Sequence, residues 1–335
     1  MGVDVGSAAA KIVQLHRGSH GWTVTAAGVA RMAHQNGRDY RQNSVRAILD
    51  CIELSGSTTR LAVCGVGGPD VAVRSFEISF PQPSEIEQTI AAEARRACPF
   101  DTDDLRLDYR FLSRSDGKAS GYVAAATSRL VSSKLNIIKE AGLHCALVDV
   151  EALALINCYS QTMKSDADCS AAILNIGSSF TTFVAESASA QPFVREIRFA
   201  GRDIIDRMAG ESGIPADQVE ASLFDTGRAG EESAGKLREA SSPLVAEITK
   251  TLRYYESQQG SAPVRELLVC GGFASARGLM DVLGGQLSIE AVLWNPLEKM
   301  RVGFARNHNK VLRQNVLRKC GPAMAVAAGL AMRSI

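Results

Sequence analysis

The sequence has no excess of either charge and no long hydrophobic segment. Its 37 Lys and Arg residues balance 36 Asp and Glu residues and leave a net charge of +1, which gives no general electrostatic reason to bind nucleic acid or an anionic membrane. No uncharged apolar run reaches the roughly 18 residues of a transmembrane helix. The start of the chain lacks the basic and apolar segments of a signal peptide. We therefore expect neither a membrane span nor a secreted protein.

Metal-binding and disulfide patterns are also lacking. Eight cysteines are scattered along the chain without a C-x-x-C pair, and the five histidines form no zinc site or catalytic triad. Most of the cysteines lie in apolar stretches, where a reduced thiol behaves as a small buried hydrophobe. Reduced thiols are typical of the cytoplasm, so a cytoplasmic location is predicted.

What the sequence does contain is enough apolar material for a folded core. Hydrophobic residues make up 46% and charged residues 22% of the 335 residues, which is typical of globular and not of disordered chains. The length favours about two domains. Hydrophobic periodicity predicts strands at 3–5, 11–15, 21–25, 60–64, 106–112, 121–126, 145–150, 171–175, 181–186, 193–199 and 266–270. It predicts helices at 43–54, 84–98, 128–141, 151–159, 201–208, 215–223, from 242 onward, at 273–283 and at 321–332, with a loop at 226–232.

Three glycine-bearing turns each follow a short apolar strand. They are Val3–Ser7, Leu174–Thr181 and Val269–Ser275. Because glycine has no Cβ, such a turn can present its backbone N–H groups to a phosphate. Two turns of this kind that face each other from two halves of a protein can clamp the phosphates of a nucleotide. Asp4, an acidic residue before the first turn, can hold magnesium through water.

The order and spacing of these turns resemble those of the actin-like ATPase superfamily, which includes actin, heat-shock chaperone ATPases, sugar kinases and the division protein FtsA. In that comparison Asp4–Ser7 matches the first phosphate loop, Asn175–Thr181 the second, and Gly271–Ser275 the adenosine loop. Within the superfamily, nearly the whole chain resembles the PilM family of type IV pilus assembly proteins. The motifs that carry this resemblance are Gly6–Lys11, Cys98–Asp101, Leu105, Tyr109, Glu140–Leu143, Asp149–Leu155, Arg195–Ile197, Gly201, Asp203, Glu247–Tyr255 and Ala323–Leu330.

The resemblance implies that particular residues bind ATP and Mg2+. Asp4 and Glu151 are the candidate catalytic residues, and Asp4 is also the candidate magnesium contact through water. The candidate cofactor-binding residues are Gly6, Ser7, Lys11, Asn175, Gly177, Ser178, Ser179, Thr181, Glu247, Lys250, Gly271, Gly272 and Ser275.

Several of these candidates also have a simpler structural interpretation. Asp4 can cap the turn that it precedes, and Lys11 can be a solvated strand residue. Glu151 begins a predicted helix, where the helix dipole favours a carboxylate. Glu247 and Lys250 lie one helical turn apart, as in a surface ion pair. The sequence leaves both interpretations open for each of these residues.

The resemblance also implies the architecture, a bilobed α/β fold of the actin-like (ribonuclease-H-like) ATPase kind. An inserted α+β subdomain of the type found in FtsA and PilM is expected in addition to the two lobes. The predicted divisions are 1–83, 150–169 and 320–335 for the first lobe, 84–149 for the insertion, and 170–319 for the second lobe with a helical subdomain at about 209–262.

A protein partner is implied as well. In the PilM family, the insertion and the adjacent lobe form a groove for the N-terminal cytoplasmic peptide of PilN, an inner-membrane protein. Phe100 and Leu105 are the candidate partner-binding residues, because an apolar sheet edge can take an extended peptide. Both can instead pack into the insertion's own core. Peripheral association with the inner membrane through a PilN-like partner and a homo-oligomeric ring are further expectations.

One position departs from the superfamily pattern. Asn175 stands where the second phosphate loop usually has Asp, and an amide lacks the charge that holds a hydrated magnesium ion. We therefore predict an ATP-binding scaffold of a type IV pilus or related secretion machine, with slow or absent hydrolysis. The alternatives are a small-molecule kinase, for which the sequence shows no matching general base, and an FtsA-like division protein.

Overall fold

The computed structural model of the chain describes residues 1–32, 39–79, 85–98, 104–115, 117–163, 170–186, 191–225, 231–258, 263–303 and 317–333. The strands in these ranges are β1 (Gly2–Val5), β2 (Ala9–Gly18), β3 (Gly21–Arg31), β4 (Leu61–Val66), β5 (Val71–Ser79), β6 (Leu105–Ser115), β7 (Lys118–Thr127), β8 (His144–Val150), β9 (Ser170–Ile176), β10 (Thr181–Glu186), β11 (Pro192–Ile197), β12 (Val264–Cys270), β13 (Glu290–Leu293) and β14 (Arg301–Val302). The α-helices are α1 (Tyr40–Ser55), α2 (Ile86–Ala97), α3 (Ser128–Glu140), α4 (Glu151–Thr162), α5 (Gly201–Ser212), α6 (Ala216–Phe224), α7 (Glu231–Glu256), α8 (Leu279–Gln286) and α9 (Ala325–Ala331). Within the described ranges, none of the helices has the length and apolar character that crossing a membrane requires.

The first lobe is built on a sheet with the strand order β14-β3-β2-β1-β4-β8. The strand β2 pairs antiparallel with both β1 and β3, whereas β4 pairs parallel with both β1 and β8. Side chains alternate across a strand, so Val3 and Val5 of β1 join a core with α1 and α3. Asp4 lies on the opposite face of β1. This face of β1 is directed toward the second lobe and the cleft.

The second lobe is built on a sheet with the order β11-β10-β9-β12-β13. Buried side chains on one face form a core with α5, α6, α7 and α8. On the other face, Ile173, Val184 and Leu268 share a core with Leu155 of α4, with α9 and with side chains of the first sheet. Two helices, α4 and α9, therefore lie between the lobes and belong to one hydrophobic core with both.

A third sheet, with the order β5-β7-β6, forms a small additional unit together with α2. Its core contains Phe76, Ile78, Ile86 and Ile90. The helix α2 was predicted from the spacing of its apolar residues, and its Ile86, Ile90 and Ala94 are buried as expected.

Sheet membership differs from the predicted insertion of residues 84–149 at both ends. The strand β5 precedes residue 84 but pairs with β7. At the other end, β8 pairs with β4 in the first sheet, and α3 packs against β4, β8 and α1. The strand β5 was missed because its first three residues are all apolar and buried, and its alternation of buried and exposed side chains begins only after them. The division into domains remains a prediction, and the strand pairing favours an insertion that starts with β5 and ends with β7.

The long helix α7 begins earlier than predicted. Ser242-Pro243 was expected to open it, yet it runs from Glu231 to Glu256 with Pro243 inside. Proline in a helix interior costs about 3 kcal/mol. Leu237, Leu244 and Ile248 are fully buried on both sides of the proline, and each buried leucine or isoleucine contributes about 2 kcal/mol. Tertiary packing therefore offsets the local penalty. Residues 226–230 of the predicted loop lie outside the described residues.

Two other helix predictions need correction. In α1, the helical periodicity of residues 43–54 predicts Leu49 on the apolar face with Ile48, but Leu49 is 42% exposed and Cys51 is buried instead. The helix predicted at 273–283 begins only at Leu279, because Gly278 has a φ of 80° and ends a series of turns. The sequence pattern gave the helices but not their boundaries.

The close contact between α9 and α4 gives a test of the packing. A Cβ at Gly329 would lie 1.9 Å from the carbonyl oxygen of Ala154, so Gly329→Ala should force the helices apart and destabilise the protein by about 1–3 kcal/mol. Gly235 of α7 has open space around its missing Cβ. Gly235→Ala should therefore stabilise the protein by about 0.5–1 kcal/mol. Chemical denaturation of both variants measures the difference, and equal effects would contradict this packing.

Candidate functional site

The three predicted glycine turns meet in one cleft between the lobes. The cleft has a volume of about 300 Å3. The predicted site residues that line it are Asp4, Gly6, Ser7, Lys11, Glu151, Asn175, Gly177, Ser178, Ser179, Gly271, Gly272 and Ser275. Turns that are far apart in the sequence are therefore close together in the structure, as expected of a clamp.

The first turn connects β1 to β2. The amide of Gly6 donates to the carbonyl of Ala9 at 3.1 Å and closes the turn. The two strands then place Lys11 beside Asp4, with 3.0 Å between Nζ and Oδ2. Asp4 is therefore paired with a lysine and does not act as a turn cap, and Lys11 is partly buried instead of solvated.

The second turn connects β9 to β10 and is held by the start of α5. The amide of Gly177 donates to the carbonyl of Phe180 at 3.1 Å, and a Cβ at Gly177 would lie 2.8 Å from that oxygen. The amides of Gly201 and Arg202 donate to the carbonyls of Gly177 and Ser178 at 3.0 and 2.9 Å. The bonds from α5 hold the second turn through its carbonyl oxygens. They do not use the amide of Ser178.

The third turn requires glycine for two reasons. Gly271 has a φ of 99°, and a Cβ there would lie 2.4 Å from the carbonyl oxygen of Ile176. The next residues bond back to the second turn, since the amide of Phe273 donates to Ile176 at 3.0 Å. The second and third turns therefore form one continuous wall of the cleft.

Several amides at the cleft have no acceptor in the protein. Within the described residues, the N–H groups of Ser7, Ser178 and Gly272 make no hydrogen bond to backbone or side chain. An amide without a partner is stable only where water or a ligand can reach it. These three donors, one from each turn, are available to an anion in the cleft.

Direct contacts join the lobes across the cleft. The hydroxyl groups of Ser179 and Ser7 are 2.8 Å apart and hydrogen-bonded. Farther along the cleft, Arg31 of β3 pairs with Glu220 of α6 at 3.2 Å, and its guanidinium lies 5.7 Å from the centre of the Phe224 ring. The two phosphate-type turns are thus within reach of one small ligand group.

The floor of the cleft holds a buried carboxylate, Glu151, at the first turn of α4. It lies against Gly67, where a Cβ would be 2.4 Å from Oε2. The pKa of Glu151 is raised to about 7, first by burial and then by the neighbouring Asp4, against the opposing effect of Lys134 and Lys11. Burial lowers the pKa of Lys134, but Glu151, Tyr40, Cys64 and Asp4 together outweigh this effect, so that its pKa is raised. This buried charge cluster lies directly under the first turn.

Three predicted cofactor residues do not reach the cleft. Thr181 is fully buried, and its hydroxyl donates to the carbonyl of Phe199 at 2.8 Å. Glu247 pairs with Arg195 at 3.1 Å and with Lys250 at 3.7 Å. Glu247 and Lys250 therefore form an ion pair one helical turn apart, which is the simpler of their two interpretations.

Other residues that were not among the predicted site residues also line the cleft. Most of them come from the end of β3, from α5 and α6, and from the segment before α9, which only the tertiary fold brings together. They are Ala8, Ala9, Val29, Arg31, Met32, Phe180, Gly201, Arg202, Ile205, Glu220, Phe224, Phe273, Lys319, Cys320 and Ala323. Those that lie in the motifs named from the sequence had an available signal. One such motif contains Gly201 and Asp203, and Asp203 caps α5 by accepting from the amide of Ala200 at 2.8 Å.

A second, smaller cavity of about 190 Å3 lies between β6 and β7, α4 and the edge of the second-lobe sheet. Its lining is mixed apolar and charged: Arg110, Leu112, Tyr122, Leu153, Ile156, Asn157, Ser160, Glu186, Pro192 and Arg333. Leu105 is at the other end of β6 and does not line this cavity, and Phe100 lies outside the described residues. The structure therefore offers a groove between the insertion and α4 of the adjacent lobe, and Leu105 is not part of its lining.

Two sheet-based lobes that each carry a glycine turn, with helices between them under a cleft, define this chain as a protein of the actin-like fold. The fold is shared with the ethanolamine utilization protein EutJ from Carboxydothermus hydrogenoformans (13% identity, 99% of this chain and 89% of that chain, TM-score 0.58). It is also shared with a diol dehydratase-reactivating factor in nucleotide-free form (11% identity, 98% of both chains, TM-score 0.55).

The family can be stated more narrowly. The family described as type IV pilus assembly protein PilM matches residues 2–335, and the chain belongs to it. A solved PilM-PilN type IV pilus biogenesis complex has the same fold, with a TM-score of 0.80, 24% identity and coverage of 99% of this chain and 97% of that chain. The family and the fold inferred from the sequence are therefore confirmed.

Glu196 of β11 gives a pH-dependent test of the sheet of the second lobe. Both of its carboxylate oxygens accept from the hydroxyl of Thr182, at 3.2 and 3.0 Å. Burial raises the pKa of Glu196 to about 8, the Thr182 hydrogen bond lowers it, and Glu151 raises it. Between its ordinary value of 4.5 and about 8, the folded state keeps a proton that the unfolded chain has lost. Stability must therefore fall as the pH rises through this range.

We expect Glu196→Gln to remove part of this pH dependence, because glutamine keeps an acceptor for Thr182 without a charge. At about pH 8 the variant should be more stable than the wild type by about 2 kcal/mol, and near pH 5 by much less. Glu211→Gln on α5, which removes an exposed carboxylate, serves as the control. Denaturation curves at several pH values measure the effect, and parallel curves for all three proteins would contradict it.

Proposed function

We propose that this chain is an ATP-binding scaffold of a type IV pilus assembly machine. The observation that carries the nucleotide part is the set of amides at Ser7, Ser178 and Gly272, which have no acceptor within the described residues and belong to three glycine turns that line one cleft. Backbone N–H groups on glycine-rich turns are a general phosphate-binding device. The residues present therefore fit a nucleotide without any change of side chain.

The contact between Ser7 and Ser179 marks the proposed position of the phosphates. A phosphate group placed between the two turns would accept from both hydroxyl groups and replace their mutual hydrogen bond of 2.8 Å. Lys11 is close enough to contribute charge, since its Nζ would lie 3.0 Å from a Cβ at Gly6. The nucleotide would then join the lobes more strongly than the single hydroxyl pair does.

Magnesium fits this cleft only as a partner of the nucleotide. Among the described residues, no three His, Cys, Asp or Glu side chains come together as a metal site. Magnesium usually keeps several waters and binds through one or two carboxylates and the substrate phosphates. Asp4 is the carboxylate in place for such a contact, and the bound metal would supply charge neutralisation at the phosphates.

Fast hydrolysis is not expected. Asn175 lines the cleft at the position where a carboxylate would be needed to hold the hydrated metal or orient water. Glu151 is buried in the floor, and with its pKa raised to about 7 it is only partly ionised at neutral pH. We propose slow or absent turnover, well below the roughly 1 per second at the lower end of ordinary enzymes, so that the nucleotide acts as a structural ligand.

Calorimetry of the purified protein with ATP and Mg2+ tests the nucleotide proposal. We expect binding by the wild type and at least about tenfold weaker binding by Gly177→Val, because the branched side chain distorts the second turn. Gly210→Val on α5, where the missing Cβ has open space, should bind like the wild type. A folded wild type that gives no binding heat at millimolar ATP would disprove the proposal.

The partner proposal rests on the second cavity. The solved complex named above contains a PilM and a PilN, and we propose that a PilN-like inner-membrane protein inserts its N-terminal cytoplasmic peptide into the groove beside the insertion. The apolar Leu112, Leu153 and Ile156 suit an extended peptide, and Arg110 gives the mouth positive charge beside Glu186, whereas Arg333 is paired with Asp149 at 3.0 Å. Through this partner, a cytoplasmic protein would associate with the inner membrane. A homo-oligomeric ring stays a prediction.

A labelled peptide that copies the N-terminal tail of the PilN-like protein tests this groove. Arg110→Glu should weaken binding at least about fivefold by reversing the charge at the mouth. Arg106→Glu makes the same exchange four residues earlier on the exposed face of β6, outside the cavity, and should leave binding unchanged. If Leu105→Ala abolishes binding and Arg110→Glu does not, the peptide lies where the sequence predicted it and not in this groove.

A further inference from the structure

The first glycine turn is held from behind by two side chains that do not line the cleft. The hydroxyl of Tyr40, the first residue of α1, lies 3.4 Å from the carbonyl oxygen of Val5 and 3.3 Å from that of Gly6. The ammonium of Lys134, from α3, donates to the carbonyl of Val5. Both helices thus contact the carbonyl of Val5, and Tyr40 of α1 also contacts that of Gly6.

These contacts determine where the amides of the turn point. In a trans peptide, the C=O and the N–H point in opposite directions. Fixing the carbonyl of Val5 directs the amide of Gly6 the other way, where it donates to Ala9 at 3.1 Å. Fixing the carbonyl of Gly6 likewise directs the amide of Ser7 away from Tyr40. Ser7 lines the cleft, and its amide is one of the three donors there that have no acceptor within the described residues.

Lys134 is an unusual residue to find in this place. It is 7% exposed, and a buried ammonium is stable only when it is paired and hydrogen-bonded. In the described part of the chain, its one hydrogen bond is to Val5, and the charged or titratable groups near it are Glu151, Tyr40, Cys64 and Asp4. An apolar residue would fill the same space without desolvating a charge. The charge is therefore placed where it balances the carboxylates of the cleft floor and holds the turn.

We propose that Lys134 and Tyr40 are positioning residues for phosphate binding, which hold the first glycine turn from behind so that the Ser7 amide points at a phosphate group. This inference rests on the proposed nucleotide site and adds two residues to it that touch no ligand. It predicts that both residues act on the phosphate part of a nucleotide and not on the nucleoside part.

The test compares ligands with and without phosphates on the full chain. Tyr40→Phe removes only the hydroxyl of a side chain that is 43% exposed, and it should weaken binding of Mg-ATP and of ADP about threefold. Lys134→Met removes the charge at nearly constant length and should weaken both at least about tenfold. Adenosine has no phosphate, so its affinity, measured by competition, should be the same for the wild type and for both variants.

The controls are Tyr254→Phe on α7 and Lys139→Met on α3. Tyr254 is 53% exposed, Lys139 is an exposed residue on the same helix as Lys134, and neither lines the cleft. Both variants should bind Mg-ATP and ADP like the wild type. Equal losses for adenosine and ATP in Tyr40→Phe and Lys134→Met would overturn the inference, because they would show a general structural effect.

Hydrogen exchange separates a failure of this inference from a failure of the proposed function. If the wild type binds no nucleotide, the function falls, but the turn can still be tested. The amide of Gly6 should exchange faster in Tyr40→Phe and in Lys134→Met than in either control, because the turn opens more often. Tyr40→Phe removes no buried group and is therefore the decisive variant. If the amide of Gly6 exchanges in Tyr40→Phe as it does in the wild type, the role of the two residues is overturned, whatever the result for Lys134→Met.

Discussion

The close approach of α9 to its neighbours is the constraint on which the cleft depends. A Cβ at Gly329 would lie 1.9 Å from the carbonyl oxygen of Ala154 in α4, and one at Gly2 would lie 2.0 Å from the carbonyl oxygen of Ala327 in α9. Glycine at both positions lets two helices and a strand lie almost in backbone contact. Because α4 and α9 lie between the two sheets, their spacing sets how near the lobes come. Only at this spacing can Ser7 and Ser179 form a hydrogen bond across the cleft.

The charges under the cleft do not serve stability. Buried ion pairs rarely repay the cost of removing them from water, and the raised pKa of Glu151 shows that its charged form is disfavoured there. Asp4, Lys11 and Lys134 lie around it, at the point where the carboxyl ends of β1 and β4 meet the start of α4. An apolar floor would be more stable. A chain that keeps four charged groups together in this place has a site and not merely a fold.

The sequence indicated the parts of the site that are local. A buried strand followed by glycine and a hydroxyl residue forms its turn whatever lies nearby, so the three turns were found. Arg31, Glu220 and Phe224 were not found, because nothing in β3 or α6 by itself shows that they face each other. The same distinction explains Glu247, whose spacing from Lys250 fitted a ligand contact and an ion pair equally well. The start of α7 was misplaced because burial of Leu237 on the far side of Pro243 outweighs the local signal.

One helix takes part in both proposed sites. The first residue of α4, Glu151, lies in the floor of the cleft, and Ile156, Asn157 and Ser160 farther along the same helix line the second cavity. The side-chain amide Nδ2 of Asn157 donates to the carbonyl of Gly329 at 3.0 Å, so α4 cannot shift without disturbing α9. A short helix moves as a unit, and a ligand that displaces its first turn must also displace the wall of the groove. Any coupling between nucleotide and peptide would therefore pass through α4, and it would have to act equally in both directions.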